Sequence, residues 1–452
     1  MKHGDPDLRD AAARVLDAAR KRGATAADAI GAEERSLTAG IYLGAIDKLK
    51  SARERALGLR VFYGHRSATA STSDFSAASL DRLVEDTCAL AKVTAEDPCA
   101  ALPDPGEMAG KLRDLDLVDR EGERLSVEEQ IEQVMRAEAA ALDLDPRIRK
   151  TDGAEWEGKW QRTVLANTHG FMGDVEETVF SHYVAPVAEE NGAMQRDAWY
   201  TAGRKLEQLD SPEVLGRRAG ERALRRLGAR KIRTCKVPVI FDAESASSLV
   251  EHLGEAVSGT ALYKSVSFLV GKLGERIGPA CMTAIDDGTI PSALGSRPFD
   301  DEGLEARRTV VVEQGRLSSW LLDTYSARKL GFRSTGNAQR SISSVPSVGT
   351  HNLYLEAGSD SPEDLIRSVK SGLYVTELIG FGVNSVTGDY SRGVAGLWIE
   401  NGELSYPVEE ITVAGNLLDM FARVEAIAND LDFRRAVTSP TLLIGEMTVA
   451  GD

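Results

Sequence analysis

Apolar positions in the first part of the chain switch between two periods. In DLRDAAARVLDAARKRG they recur every three to four residues and predict a helix, whereas TAGIYLGAIDKLKSARE and GLRVFYGHRSATAST predict extended chain. SAASLDRLVEDTCALAKVT returns to the helical period behind a capping-type serine. The prolines of the acidic stretch EDPCAALPDPGE cannot continue a helix and set a boundary, closing an N-terminal α/β unit over 1–108. A central region, 109–234, then opens with the amphipathic helix SVEEQIEQVMRAEAAALD. It continues through strand patterns in GKWQRTVLANTHG and VEETVFSHYVAPV, where β-branched and aromatic residues suit a half-buried sheet.

The region closes near Arg233 in the arginine-rich segment RRAGERALRRLGARKIRTCK. Leu215, Ala219, Ala223 and Leu227 recur at helical spacing, so its arginines are expected on a solvated opposite face rather than on a docking surface. A third unit, 235–452, begins with the buried-type strand KVPVIFDA and the helix SSLVEHLGEAVSG, and becomes strand-rich after Ala284. VVVEQGRLSSWLL (310–322) and GLWIENGELSYPV (396–408) share E-x-G-x-L-S between apolar arms. Both read as antiparallel hairpins, and Asn401-Gly402 is a two-residue turn signal because both central residues of a type I′ turn take positive φ. The overall class is α+β.

Composition narrows the picture. The chain has 452 residues, enough to bury sizeable cores without staples, and carries a net charge of −16, which repels nucleic-acid backbones. Cys88, Cys99, Cys235 and Cys281 form no C-x-x-C pair. No apolar stretch approaches the roughly eighteen residues of a membrane helix, and the N-terminus lacks an apolar secretory region. The expectation is a cytoplasmic protein with no nucleic-acid or membrane partner.

Three stretches carry candidate chemistry. In SSLVEHLGEAVSG, His252 and Glu255 stand three apart and offer two metal ligands, where hydrolytic zinc takes about three plus water. The H-E-x-x-H pattern would need a second histidine at Ala256, and its inverse one at Ser248. His3, His65, His169, His182 and His351 belong to distant segments, and Cys281 has no spacing argument. Leu249, Leu253, Ala256 and Val257 explain the helix without metal, with Gly259 in a capping position. DDGTIPSALGSRPFDDEG gathers Asp286, Asp287, Asp300, Asp301 and Glu302 without the regular alternation of a calcium loop, which favours a turn-rich loop with carboxylates bonded to backbone. TGDYSRG offers Thr387, Asp389 and Ser391 with no histidine beside them, and Gly380 to Gly388 reads as a bend permitting close backbone approach. Asn401 and Asn416 are turn residues first and ligand contacts second.

A run of strings in the last two hundred or so residues resembles one family: KVPVIFDAESASSLVEHLGEAVSG, IDDGTIPSALGSRPFDDEG, TGNAQR, NSVTGDYSRGVAG, IENGELSYPVEEITVAGNLLDM and PTLLIGEMTVAG. Together they resemble the TldD/PmbA family of modulators and metallopeptidases, and its PmbA (TldE) branch more than its TldD branch. The resemblance implies a C-terminal curved, barrel-like β portion enclosing helices, and a dimeric assembly. It implies a zinc-bearing helix in the TldD branch, with a histidine and glutamate side by side and a second histidine one turn on, where this chain has HLGEAVSG. It further implies no cofactor in this chain, zinc in a TldD-type partner subunit, and action on small or unfolded peptides. Asp286, Asp287, Asp300, Glu302, Thr387, Asp389, Ser391, Asn401 and Asn416 are then candidates for a cavity or interface. Two other readings stand beside it: a homodimeric peptidase with an atypical metal site at His252 and Glu255, with His351 as a further candidate ligand, and a non-enzymatic binder of peptides or gyrase-type targets.

Overall fold

The computed structural model describes residues 6–451, and His3 lies outside them. The first half runs α1 (Leu8–Lys21), β1 (Ala26–Tyr42), β2 (Ala45–Tyr63), β3 (Arg66–Thr72), α2 (Ala77–Val93), α3 (Val127–Leu142), β4 (Ile148–Asn167), β5 (Met172–Glu190), β6 (Ala193–Arg196), β7 (Trp199–Gly203) and α4 (Pro212–Leu224). Its strands make one antiparallel sheet in the order β3-β2-β1-β4-β5-β6, with β7 also on β5. β1 pairs with β4 from Asp28 opposite Asn167 to Ile41 opposite Ala154, so a single sheet passes through both 1–108 and 109–234.

Strand alternation sorts this sheet into two faces. Ala27, Ala29, Leu57, Leu59 and Val164 point to one side, where α1 and α2 bury Leu8, Val15, Leu80 and Val84 against them. Further along the strands, α3 and α4 cover Ile41, Trp156 and Phe180. Ser126 and Glu129 form a capping box that starts α3. Gly216 lets α4 approach α3 closely, since a Cβ there would stand 2.1 Å from the carbonyl oxygen of Ala137. Among the described residues α1 to α4 pack on this face, and the opposite face packs Ile30 and Leu165 against Phe299 and Ile342 of the second half.

That half runs β8 (Cys235–Phe241), α5 (Ala243–Ala256), α6 (Gly259–Tyr263), β9 (Ala284–Asp287), β10 (Arg308–Glu313), β11 (Arg316–Leu317), α7 (Thr324–Leu330), β12 (Ala338–Gln339), β13 (Ser347–Val348), β14 (Leu353–Leu355), α8 (Pro362–Ser368), β15 (Ser371–Ile379), β16 (Asp389–Glu400), β17 (Glu403–Asn416), α9 (Leu417–Ala422), β18 (Val424–Ile427), β19 (Val437–Thr438) and β20 (Leu442–Ala450). The strands β8, β15, β16, β17 and β20 close into a barrel, because β20 pairs with both β17 and β8. A second sheet has the order β11-β10-β9-β14-β19. Leu249 and Leu253 of α5 share one core with Val239, Phe241 and Val375 of the barrel and with Ala284 and Leu353 of the second sheet. The mixed α and β architecture, with a curled antiparallel sheet and a closed barrel, is the α+β class read from the sequence. Among the described residues no helix is long and apolar enough to cross a membrane.

Both E-x-G-x-L-S stretches form two-residue hairpin turns with positive φ at each central residue: Gln314 at 47° with Gly315 at 80°, and Asn401 at 53° with Gly402 at 82°. Two local expectations differ from the outcome. Gly259 does not cap α5, whose C-cap is Val257; Gly259 opens α6, where a Cβ would meet the Ser326 hydroxyl oxygen at 2.3 Å. The arginines of α4 are only in part a solvated face: Arg217 and Arg218 are exposed, while Arg222 is half-buried. Arg222 pairs with Asp197 at 3.1 Å, Arg218 stacks on Trp199 at 4.0 Å and Arg226, just past the helix, pairs with Glu377, so tertiary packing claims charges that helical periodicity assigns to water.

Candidate functional site

Asp242 caps α5 by accepting from the Ser245 amide at 2.8 Å, and the helix buries its apolar stripe against the core. This leaves Ser248, His252 and Glu255 beside the start of β16. The Arg392 guanidinium donates to Ser248 Oγ at 3.1 Å, and the rings of His252 and Tyr390 meet edge to face at 6.5 Å between centroids. His252 has a side-chain exposure of 17%; its Nδ1 lies 3.5 Å from Glu255 Oε2, a contact that holds the Glu255 carboxyl below the usual range. His252 Nε2 and the Tyr390 hydroxyl are buried without a partner.

The distant histidine of this half does not complete a metal site. His351 is buried; its amide donates to Asp286 Oδ1 at 2.7 Å, and its Nδ1 lies 3.1 Å from Asp286 Oδ2. Cys281 is exposed, and among the described residues no group of three histidine, cysteine, aspartate or glutamate side chains converges as metal ligands would. One imidazole and one carboxylate on α5 do not fit a hydrolytic zinc ion, so no catalytic step through metal is assigned to this chain.

The acidic loop is spent largely on its own architecture. Asp286 also accepts from Asn337 Nδ2 at 2.7 Å, and Asp287 Oδ1 accepts from the Thr289 amide and hydroxyl at 2.8 and 2.7 Å. Asp300 accepts three backbone amides, from Glu302, Leu304 and Ala338, at 3.0, 2.9 and 3.0 Å. Burial and the neighbouring Glu302 nevertheless push its carboxyl up to about 7. Glu302 accepts from the Thr324 amide at 2.9 Å and lies 3.7 Å from Arg60; burial pushes it up as well. Asp286, Asp287, Asp300 and Glu302 are thus buried scaffold groups with partners inside the protein, while Asp301 reaches a cavity wall.

The structure brings Thr387, Asp389 and Asn416 together. The Thr387 hydroxyl donates to Asp389 Oδ2 at 2.7 Å, and Asn416 Nδ2 donates to the Thr387 carbonyl at 2.9 Å while its Oδ1 accepts from Leu418 at the start of α9. Ser391 stands apart, its amide donating to the Gly382 carbonyl at 2.6 Å. A Cβ at Gly382 would lie 1.6 Å from the Ser391 carbonyl oxygen, the close approach expected of this glycine bend. The bend presents Phe381 fully to solvent, with Ile379 and Val386 also exposed. Asn401 is exposed in its hairpin turn, away from this group.

A large opening lies where the helix-free face of the first sheet meets the second half, in a cavity of about 590 Å³. Register explains its floor: Ala32 stands opposite Ala56 and Thr163, Glu34 opposite Glu54 and Gln161, and Glu177 opposite Gln161. Arg297, Phe299, Asp301 and the 340–342 segment close it from above. A Cβ at Gly58 would stand 1.9 Å from the Ile342 carbonyl oxygen, so only glycine lets that segment settle on β2. The cavity has apolar patches at Ile30, Val175 and Ile342 and charges of both signs.

Beside it Asp28 bridges two buried arginines, accepting from Arg60 Nε at 2.8 Å and from Arg340 Nη1 at 2.7 Å. Together these attractions hold Asp28 below the usual carboxylate range despite the opposing effect of burial, which is the largest single influence. Arg55, Arg60, Arg297 and Arg340 do not stand out in the sequence, where an arginine reads as a long surface-type side chain. A signal was present for two of the charged group: Asp28 in AADAIGA and Arg60 in GLRVFY are single opposite charges in apolar strands, and they pair directly across β1 and β2.

Comparison with known proteins agrees with this architecture. Family profiles match three consecutive parts of the chain: PmbA/TldA metallopeptidase domain 1 over 27–91, the central domain over 120–227 and the C-terminal domain over 234–451. The chain is 39% identical to "Metalloprotease PmbA" of Escherichia coli O157:H7, covering 90% of this chain and 88% of that protein. It is 34% identical to a "Metalloprotease PmbA homolog" of Haemophilus influenzae, covering 100% and 98%. A crystal structure described as a putative modulator of DNA gyrase from Bacteroides thetaiotaomicron superposes with a TM-score of 0.91 at 28% identity, covering 98% and 99%. With all three domains matched in order and a relative this similar along nearly its whole length, the chain belongs to the PmbA/TldD metallopeptidase family.

Proposed function

We propose that this chain is a PmbA-type subunit of a peptide-processing metallopeptidase complex whose catalytic zinc is held by a TldD-type partner. The observation that carries the reading is the ligand set on α5: His252 with Glu255, and Ala256 where a second imidazole would share the helix face. In this reading the chain supplies a wall for extended peptide through the cavity above the first sheet. It meets its partner through the Phe381 bend and the Thr387, Asp389 and Asn416 cluster, because an exposed aromatic side chain between glycines gains most from burial at an interface.

Purification of the chain alone and with a TldD-type subunit, followed by metal analysis and a peptide hydrolysis assay, tests this. Zinc and activity are expected only in the complex; stoichiometric zinc with hydrolysis by the lone chain would refute the subunit role. One observation favours a second reading, a self-sufficient homodimer with an atypical site: His252 Nε2 is buried without a partner and has a lone pair to offer in one tautomer. Loss of metal and of hydrolysis together in His252→Ala of the lone chain is expected from that reading alone.

A further inference from the structure

The arginine-rich helix α4 faces a second cavity, of about 430 Å³, between it, Trp199 of β7 and the start of α5. This cavity shares no lining residue with the one above the first sheet. Arg218, Glu221, Arg222 and Arg225 recur at i, i+3, i+4 and i+7, so one face of the helix turns these side chains toward it. Arg222 is committed: it pairs with Asp197 at 3.1 Å, lies 3.7 Å from Asp242 and donates to the Thr376 carbonyl at 3.1 Å. Arg225 is not. Among the described residues it has no acceptor; Nε and Nη2 are covered, and Nη1 is the nitrogen left open. Burial, and then the charge of Arg222, hold its pKa below the usual arginine range, as for a cation that lacks a counter-charge.

Two further groups face the same space. Tyr374 of β15 is half-buried, and its hydroxyl is open, with no hydrogen-bond partner among the described residues. Burial raises its pKa, and the charges acting on it are, in falling order, Asp242, Arg225, Asp430 and Arg222. Asp430 accepts from the Thr441 amide and hydroxyl, each at 2.8 Å, and has no cation paired with it among the described residues. Its oxygens keep lone pairs to offer. The other wall acids are committed or solvated. Asp242 has Arg222 and the Ser245 amide, Glu244 has Arg435 at 3.4 Å and the Tyr200 hydroxyl, and Glu221 is exposed at the rim. One cation without a counter-charge and one carboxylate without a cation thus stand around a single phenol and do not pair with each other. A simple anion here would meet Asp430 and a simple cation would meet Arg225, whereas a molecule carrying both charges satisfies both.

We propose that this cavity binds a small zwitterion, a free amino acid or a dipeptide, with its carboxylate on Arg225 Nη1 and the Tyr374 hydroxyl and its ammonium on Asp430. Both ends then make charge-assisted hydrogen bonds to groups that are open in this conformation. Trp199 and Ala243 give the wall an apolar part for the ligand's side chain, and the volume exceeds what the two charged ends fill. No bond is made or broken; the site holds the kind of molecule that peptide hydrolysis releases.

Calorimetric titration of the full-length protein tests it with leucine, leucylleucine, N-acetylleucine, which lacks the ammonium, and leucinamide, which lacks the carboxylate. Leucine or leucylleucine is expected to bind about tenfold or more tightly than either single-charge analogue, and the tighter of the two identifies the occupant. An analogue that binds as tightly as both zwitterions would overturn the proposal, and so would the absence of zwitterion binding at about 10 mM. Asp430→Asn keeps partners for the Thr441 amide and hydroxyl, and it is expected to abolish the preference over N-acetylleucine. Arg225→Gln is expected to abolish the preference over leucinamide. Preferences unchanged in both variants would place the binding elsewhere. Should a charge variant not fold, Tyr374→Phe decides, because it removes a hydroxyl that no described residue engages. Its melting is expected to match the parent while zwitterion affinity falls about tenfold, and unchanged affinity would overturn the assignment.

Discussion

His182 is the plainest case of a single residue whose environment sets its chemistry. It lies on β5, packs edge to face on Trp156 at 5.3 Å, and has no hydrogen-bond partner at either ring nitrogen. Burial lowers its pKa to about 4. The unfolded chain takes up this proton near pH 6.5 and the folded chain only near 4, so the stability it confers is complete above about 6.5 and lost as pH falls through that window. His182→Leu is expected to remove a loss of up to about 3 kcal/mol on going from pH 7 to 4. Urea unfolding at both pH values checks this; the same acid sensitivity in the variant would show that His182 is not its source.

Asp300 works in the opposite sense. Its pKa of about 7 lies above the unfolded carboxylate value near 4, so its contribution is complete below about 4 and lost as pH rises through 7. Glu302→Gln removes the neighbouring negative charge and keeps an acceptor for the Thr324 amide. The decline of the unfolding midpoint between pH 5 and 8 is expected to be shallower in that variant, and parallel curves would count against the coupling.

Among the elements, those governed by short-range rules are legible in the sequence and those defined by contact are not. The turns at Gln314-Gly315 and Asn401-Gly402 follow from the steric freedom of glycine and asparagine at positive φ, which needs no tertiary information. The end of α5 is not local in this sense, because Gly259 serves a neighbour, giving room to Ser326, rather than its own helix. Gly216 is a second glycine of this kind. Gly216→Val would press a side chain on the Ala137 carbonyl, and a cost of about 2 kcal/mol or more in denaturant unfolding is expected. A variant as stable as the parent would mean that α3 and α4 can separate without penalty.

For the whole molecule, the interface proposed at the Phe381 bend gives a prediction about association. Phe381→Ser removes an exposed aromatic group, so the lone chain is expected to melt unchanged while affinity for a TldD-type subunit falls by at least about tenfold, as for an interface hot spot. Unaltered affinity in sedimentation or calorimetry would place the contact elsewhere. By itself the sequence determined the helices and strands with strong periodicity, the two glycine turns, the family resemblance through its co-linear motifs, and the single histidine where α5 would need two. These are properties of neighbours in the chain. Tertiary structure alone decided that Asp28, Arg60 and Arg340, far apart in sequence, share one buried charge cluster. It also decided that four strands present one helix-free face as a cavity floor, and that most of the 286–302 acids are scaffold. The physical reason is that burial and charge pairing depend on which distant segments the fold brings within a few ångströms, and no local pattern encodes that distance.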